Sequence, residues 1–459
     1  MLGLTIAIIG ALFILSYVIF DKDLLAPPTA VALTFLFASF CTFYNEERWG
    51  LEFSPKSLGL IAAGIIATMI GGYLGVLLSN FPRREVFTLS HEVEKPQEIY
   101  VNALKTFVVI AFQLVAMYLV FSHIRRLTGY SSWILAVGRY RAMTGRLADA
   151  NDASIRMSFL TRNSAQFSRM LGVVYAYIIG NNLVASKKKI SLNWIPPILY
   201  SLTTFMQGDR SNMIRLWVVV LVVAYTIHRR AVGWKKSRET RKVIRGMAIS
   251  IAALGAVFVV VRQFVGRTST KDPFYYLTFY AGAPIAVLNQ LWEAPIVKPA
   301  IFGQRILFYL NKSTTALFGW PGRYNFYYDY MISPNGTSIG NAPTTFRPAY
   351  VEFGPVGFFL FMVAAGAFFT FLYCKCRKKK GTNPIDFRLL IYSYIAYVFL
   401  MYFYSTFFDF LTHVFFKYMI ELFLIRWALV GWQFKRRVTF TFGKSRTSPV
   451  PVERPRGDS

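Results

Sequence analysis

The chain is predicted to be an all-α polytopic integral membrane protein of about eleven transmembrane helices. Two observations carry this expectation. Of its 459 residues, 55% are hydrophobic and only 16% are charged, and the mean hydropathy is +0.41, whereas a soluble chain is about a quarter charged. Apolar runs close to the ~20 residues that cross a ~30 Å hydrocarbon core also recur along the whole length. Soluble, secreted, fibrous and disordered classes are thereby excluded.

Hydropathy places candidate helices at residues 2–20, 26–44, 57–79, 103–122, 168–185, 193–206, 213–228, 246–263, 354–374, 389–406 and 413–434. The first has no basic leader and no small-residue cleavage site, so it reads as a retained helix rather than a signal peptide. Residues 1–434 then form one transmembrane domain, with a large outer amphipathic segment at 123–167 and a large outer loop at 264–353. Residues 435–459 form a basic cytoplasmic tail whose polar, Pro-rich end is expected to be disordered.

Orientation follows from the loop cations. With the N-terminus outside and the C-terminus inside, cytoplasmic segments hold 28 of the 51 basic residues, 14 of them Lys and 14 Arg. The outer segments contain only four lysines and are otherwise arginine. Either cation serves as a topology signal, but only guanidinium offers a planar fork that grips phosphate or carboxylate with two hydrogen bonds. An outward-facing site for a phosphorylated ligand is the preferred reading; chance and weak topology signals are the alternative. The net charge of +29 is thus a matter of membrane side. No nucleic-acid-binding signature accompanies it, and no nucleic-acid partner is expected.

Several clusters could carry chemistry. Segment 123–167 holds seven arginines and no lysine, Arg139 and Arg141 among them, spaced between apolar residues as in an interfacial amphipathic helix. That face could equally rest on anionic headgroups. Gly208-Asp209-Arg210-Ser211, with Arg215 one turn into the next span, joins a flexible turn, a helix cap and two cations near a positive helix end. An ordinary capped start with snorkelling arginines would look the same. The outer loop supplies Arg305 and Arg347, and Glu352 at its re-entry could acquire the raised pKa of a general base or simply form a structural pair with Arg347. Asp409, His413, Lys417 and Glu421 recur every four residues, so one helix would align them as a polar stripe in which Asp409 orients His413 as an acid/base pair. A structural ion-pair stripe is the alternative.

Metal and cofactor chemistry is not expected. Asp21-Lys22-Asp23 has an Asp-x-Asp form that can hold a divalent ion, but it falls on the cytoplasmic side, away from the arginines. The three cysteines, Cys41, Cys374 and Cys376, provide neither a disulfide framework nor a four-ligand zinc site. Neither a P-loop, a Gly-x-Ser-x-Gly elbow nor a His-Glu-x-x-His motif is present.

The order of these features resembles the bacterial oligosaccharide repeat-unit polymerases, the Wzy or O-antigen polymerase family. Four places carry the likeness: Gly208-Asp209-Arg210-Ser211 before a span, Phe279-Tyr280 to Pro284, Phe302-Gly303, and Asn341 to Gly357 closing the loop. This chain departs from the family in having Pro343 at a commonly aromatic position and Glu352 where Asp is usual. The resemblance implies a fold similar to the lipid-linked-sugar GT-C-type glycosyltransferases, in the bacterial cytoplasmic membrane with the active site facing outward. It also implies transfer of a growing glycan from undecaprenyl pyrophosphate to a sugar hydroxyl on a second lipid-linked repeat. Arg210, Arg215 and Arg347 would bind the pyrophosphates, with Arg305, Arg139 and Arg141 in support, and Glu352 or the Asp409/His413 pair would activate the hydroxyl. Expected partners are undecaprenyl-pyrophosphate-linked oligosaccharides, membrane lipids, a chain-length regulator and a flippase. An O-antigen ligase is the nearest enzyme alternative, although its relatives use a histidine in the large outer loop and none of the four histidines here lies there. A transporter or flippase of lipid-linked sugars is the rival from another class, but the chain shows no repeated halves.

Overall fold

The computed structural model describes residues 1–80, 96–146, 156–186, 191–209, 211–234, 244–246, 248–249, 255, 272–290, 292, 302–319, 330–378 and 383–431. Their helices, in chain order, are α1 (Leu2–Ile19), α2 (Pro27–Tyr44), α3 (Glu46–Trp49), α4 (Pro55–Asn80), α5 (Ala103–Thr128), α6 (Trp133–Arg146), α7 (Phe159–Ala185), α8 (Ile195–Met206) and α9 (Ser211–Val232). After these come α10 (Pro273–Gln290), α11 (Phe308–Phe318), α12 (Phe346–Cys376), α13 (Phe387–Ile395), α14 (Tyr397–Leu400) and α15 (Val414–Arg426). A two-stranded antiparallel hairpin, β1 (Met331–Ile332) with β2 (Ser338–Gly340), is the sheet among the described residues. The protein is an all-α membrane protein: α1, α2, α4, α5, α9 and α12 are each long and apolar enough to cross a bilayer.

Local sequence explains where these helices begin. Pro27 and Pro28 occupy the first turn of α2, where a missing N–H removes nothing. Asn102 caps α5 by accepting from the Leu104 N–H at 2.9 Å, and Asp386 caps α13 by accepting from the Arg388 N–H at 3.1 Å. α1 and α5 are the least covered of the six and leave Ile14, Leu15, Val18, Val108, Val115 and Tyr118 exposed, as suits helices that meet hydrocarbon.

At the centre, α4 and α12 run parallel with their backbones touching. A Cβ on Gly71 would fall 2.0 Å from the Val363 carbonyl oxygen, and one on Gly366 would fall 2.5 Å from the Thr68 carbonyl oxygen. Small residues at such crossings let helices approach closely, a common device where no hydrophobic effect drives association. α12 is one helix in outline but bends at Gly354, whose φ of 68° and ψ of −179° break the helical run just ahead of Pro355. Only glycine takes that conformation without strain, and a residue followed by proline is pushed out of the α region.

Several expected elements differ. The sixth span is a helix of 12 residues, the tenth stops at Ile395 and again at Leu400, and the eleventh is a helix of 13 residues followed by a five-residue π-helical turn. Most of the eighth candidate, 246–263, and all of the tail 435–459 lie outside the described residues. The large loop is not merely loop. α10 lies across the ends of α2 and α4, where Tyr275 accepts from Trp49 Nε1 at 3.3 Å, the Gly282 carbonyl accepts from Thr42 Oγ1 at 3.0 Å, and Asn289 Oδ1 accepts from Ser54 N at 2.7 Å. Hydropathy underrates α10 because its polar atoms bind neighbouring elements rather than water.

Candidate functional site

The bundle has two polar ends, one carrying Asp209, Arg347 and Asp409, the other carrying Asp23 and Asp386. At the first, the α8–α9 turn is built by Gly208, whose φ of 72° is left-handed. Asp209 then caps α9: its Oδ1 accepts from the N–H of Ser211 at 2.9 Å and of Asn212 at 3.3 Å, and its Oδ2 accepts from the Asn212 side chain. A Cβ on Gly208 would meet the Arg141 side chain at 3.0 Å, so α6 lies against this turn. One turn into α9, Arg215 is only 3% exposed.

Arg215 points at a segment of irregular backbone. Between Leu400 and Val414 the chain makes a turn, an irregular stretch at 405–408 and a 3-10 turn at Asp409–Leu411 before α15 begins. Such backbone survives at membrane depth only where protein satisfies it or a cavity wets it. Here Thr345 does much of the satisfying: its N–H donates to the Tyr402 carbonyl at 2.7 Å and its hydroxyl to the Ser405 carbonyl at 2.8 Å. The segment delivers Asp409 to Arg215, with Oδ2 2.5 Å from Nη1. Tyr394 and Tyr397 present ring faces to the same guanidinium, at 5.2 Å and 4.7 Å from ring centre to Cζ.

A second arginine, which the sequence reading did not single out, shares this cage. Arg169 of α7 lies over the Tyr394 ring at 5.2 Å and the Tyr418 ring at 5.5 Å. Arg215 Nε and Arg169 Nη2 are buried donors with no acceptor among the described residues. Two guanidinium groups thus flank one tyrosine, and Asp409 forms its ion pair with one of them. Buried polar groups are normally hydrogen-bonded, so this arrangement is primed for an additional anion.

The long segment 264–353 reaches the cluster through its described residues. Glu352, just before the bend in α12, accepts hydrogen bonds from the Arg305 and Ile306 backbone N–H groups, the latter at 3.0 Å, and so anchors the turn that launches α11. From α11, Tyr309 enters the electrostatic field of Asp409, Arg215, Asp209 and Arg169; burial pushes its phenol pKa up, and Asp409 raises it further. One turn later, Ser313 Oγ meets His413, at 2.9 Å from its backbone nitrogen and 3.2 Å from Nδ1.

Each expected site residue can now be placed. Arg215 and Asp409 come together, and His413 stands four residues beyond. The continuous polar stripe does not form, because Asp409 lies in a 3-10 turn and His413 at the N-cap of α15; only Lys417 and Glu421 pair within the helix, at 3.6 Å. Asp409 holds Arg215, and the His413 ring pairs through Nδ1 with Ser313 Oγ rather than with Asp409. Arg347 is buried and stacks over Trp292 at 4.7 Å, while Glu352 binds the 305–306 backbone, so the expected Arg347/Glu352 pair is not the arrangement found. Arg305 is half-buried in that turn, and Arg139 is exposed on α6. Arg210 lies outside the described residues.

At the opposite end, Asp23 is fully buried and accepts from the Tyr225 hydroxyl at 2.8 Å and the Tyr373 hydroxyl at 2.7 Å, with Arg377 at 3.5 Å. Asp21 lies 3.7 Å from the same arginine. The Asp-x-Asp motif is therefore bound up in a protein network. Arg230 makes the neighbouring pair with Asp386 at 2.7 Å. Among the described residues, no group of three or more His, Cys, Asp or Glu is arranged to hold a metal ion.

No family model, curated protein or solved structure gives a significant match to this chain.

Proposed function

We propose that this protein is a membrane glycosyltransferase, a polysaccharide polymerase that joins undecaprenyl-pyrophosphate-linked oligosaccharide repeat units on the outer face of a bacterial cytoplasmic membrane. The reading includes eleven spans, a fold similar to the GT-C-type glycosyltransferases, and the Asp409 end facing outward. The observation that carries it is the pair of guanidinium groups, Arg215 buried and Arg169 half-buried with its Nη2 enclosed, sharing a tyrosine cage with donors left over.

A pyrophosphate leaving group develops negative charge as the anomeric C–O bond breaks, and preorganised buried cations stabilise that charge without reorganising. Arg215 and Arg169 would bind it, with Arg141 at the adjoining turn. Tyrosine faces supply stacking surface for sugar rings. The covering loop would keep water from competing with the acceptor hydroxyl.

Reconstitution with a synthetic lipid-linked repeat tests the reading. A ladder of products spaced by one repeat is the expected result, and Arg215→Ala should leave single repeats on lipid. Transbilayer movement of the substrate without new glycosidic bonds would instead identify a transporter, and transfer only to an unrelated acceptor would identify a ligase.

A further inference from the structure

We infer that His413 Nε2 is the general base of the reaction and that Ser313 is the positioning residue that keeps this nitrogen unprotonated. The inference rests on the glycosyl-transfer reading above and goes beyond it by assigning the proton's path.

A serine hydroxyl has one proton to give and two lone pairs to fill. Ser313 gives its proton to the Tyr309 carbonyl, one turn back in α11, at 2.9 Å. Its lone pairs then face the His413 backbone N–H at 2.9 Å and the His413 ring nitrogen Nδ1 at 3.2 Å. With the only hydroxyl proton already committed, Nδ1 must be the donor in the last contact. A neutral imidazole protonated on Nδ1 carries its lone pair on Nε2, and the partner of one ring nitrogen selects the tautomer in this way throughout histidine chemistry.

Nε2 has no hydrogen bond to any described residue, nor is it among the enclosed polar atoms. Its neighbours place it beside the anion cage. Ser313 and Tyr309 stand one turn apart on α11 and meet, respectively, His413 and the surroundings of Asp409, which in turn holds Arg215. A helix borne by the loop thus sets the base with one residue and covers the cation cluster with another.

The acceptor sugar's O–H proton passes to Nε2, and its oxygen bonds to the anomeric carbon of the donor. The bond from that carbon to the pyrophosphate oxygen breaks, its electron pair leaving with undecaprenyl pyrophosphate. The resulting imidazolium keeps Nδ1–H on Ser313 and releases the Nε2 proton to water, so Ser313 need not move.

Purified full-length protein in proteoliposomes, fed lipid-linked repeats, tests this. His413→Asn retains an N–H donor near the Nδ1 position but has no base. It should keep thermal stability and KM near wild type and lose turnover about 100-fold or more, the usual scale for removing a general base. Ser313→Ala should lower kcat about tenfold with KM within about twofold, a tautomer that is right only part of the time, and Ser313→Thr should recover most of the loss. Imidazole added to His413→Ala should restore turnover in proportion to its concentration. Wild-type kcat in His413→Asn, or absence of imidazole rescue in a folded His413→Ala, overturns the base. Unchanged kcat in Ser313→Ala overturns the positioning role. If the wild-type protein itself makes no ladder, the glycosyl-transfer reading fails first, and that outcome is distinct from all of these.

Discussion

The Glu352 carboxylate reaches back 46 residues along the chain to accept a hydrogen bond from the Ile306 N–H at 3.0 Å. This contact joins the start of a long apolar helix to the turn from which α11 departs, and through α11 it fixes where Tyr309 and Ser313 lie. A residue that looked like a base from its place at the end of the outer loop therefore serves as a fastening. The distinction is measurable. Glu352→Gln retains an amide oxygen for one of the two backbone donors and should cost about 1 kcal/mol, whereas Glu352→Ala strands both and should cost about 2–4 kcal/mol. Thermal unfolding in detergent gives these numbers, and a polymerisation assay should follow the same ranking. Abolition of activity in Glu352→Gln with unchanged stability would return the residue to a chemical role.

Arg215 and Asp409 form a pair in which the cation is almost wholly buried and the carboxylate about a quarter exposed. Removing one member of such a pair is worse than removing both, because the survivor is left uncompensated. Asp409→Asn is expected to destabilise by about 2–3 kcal/mol, and Arg215→Met added to it should recover part of that loss. A double-mutant cycle from chemical or thermal melts reads the coupling; strict additivity would mean that the two charges do not interact.

At the α4–α12 crossing there is no room for any side chain on Gly71, with the Val363 carbonyl 2.0 Å from where a Cβ would be. Gly71→Leu should abolish the folded state as judged by monodisperse gel filtration. Gly59→Leu on the same helix, where nothing lies within 4 Å, should not. Equal behaviour of the two variants would remove the crossing from the account of stability.

Asp23 anchors the opposite end by accepting from two tyrosine hydroxyls while facing Arg377. Asp23→Asn leaves the arginine without a buried counter-charge and should cost about 3 kcal/mol, with Arg377→Met in the same chain restoring much of it. Divalent cations and chelators should leave the melting temperature unchanged; a chelator-dependent shift lost in Asp23→Asn would instead reveal a metal site.

Membrane orientation is tested by single cysteines in a chain freed of its own three. A thiol at Tyr130 should react with an impermeant maleimide in intact cells, and one at Lys378 only after permeabilisation. The reverse pattern would put the Arg169/Arg215 cage on the cytoplasmic side and exclude the proposed reaction there.

Much of the architecture was legible because bilayer-length apolar runs have few alternative uses. The 397–408 stretch misled for the same reason. Tyr397-Val-Phe-Leu-Met-Tyr-Phe-Tyr is as apolar as a span, and hydropathy does not separate a helix from a turn whose carbonyls are satisfied by a threonine far back in the chain, 60 residues from Ser405. Arg215, Asp409 and His413 stood out as ionisable groups in or beside apolar runs. Arg169 offered the same signal at the start of the apolar run 168–185, midway along the helix that forms there. Tyr309 and Ser313 offered none, since serines and tyrosines are ordinary in a loop and their importance comes from docking about a hundred residues away in sequence.

The two bonds from Thr345 to the Tyr402 and Ser405 carbonyls make the stretch that follows a strut of fixed length. Inserting even one residue between Ser405 and Asp409 would carry the carboxylate away from Arg215 while leaving every helix able to form. Variation in chain length should therefore be confined to connections such as the one between α5 and α6, and homologous chains should keep the interval from Ser405 to His413 constant even where the residues within it drift.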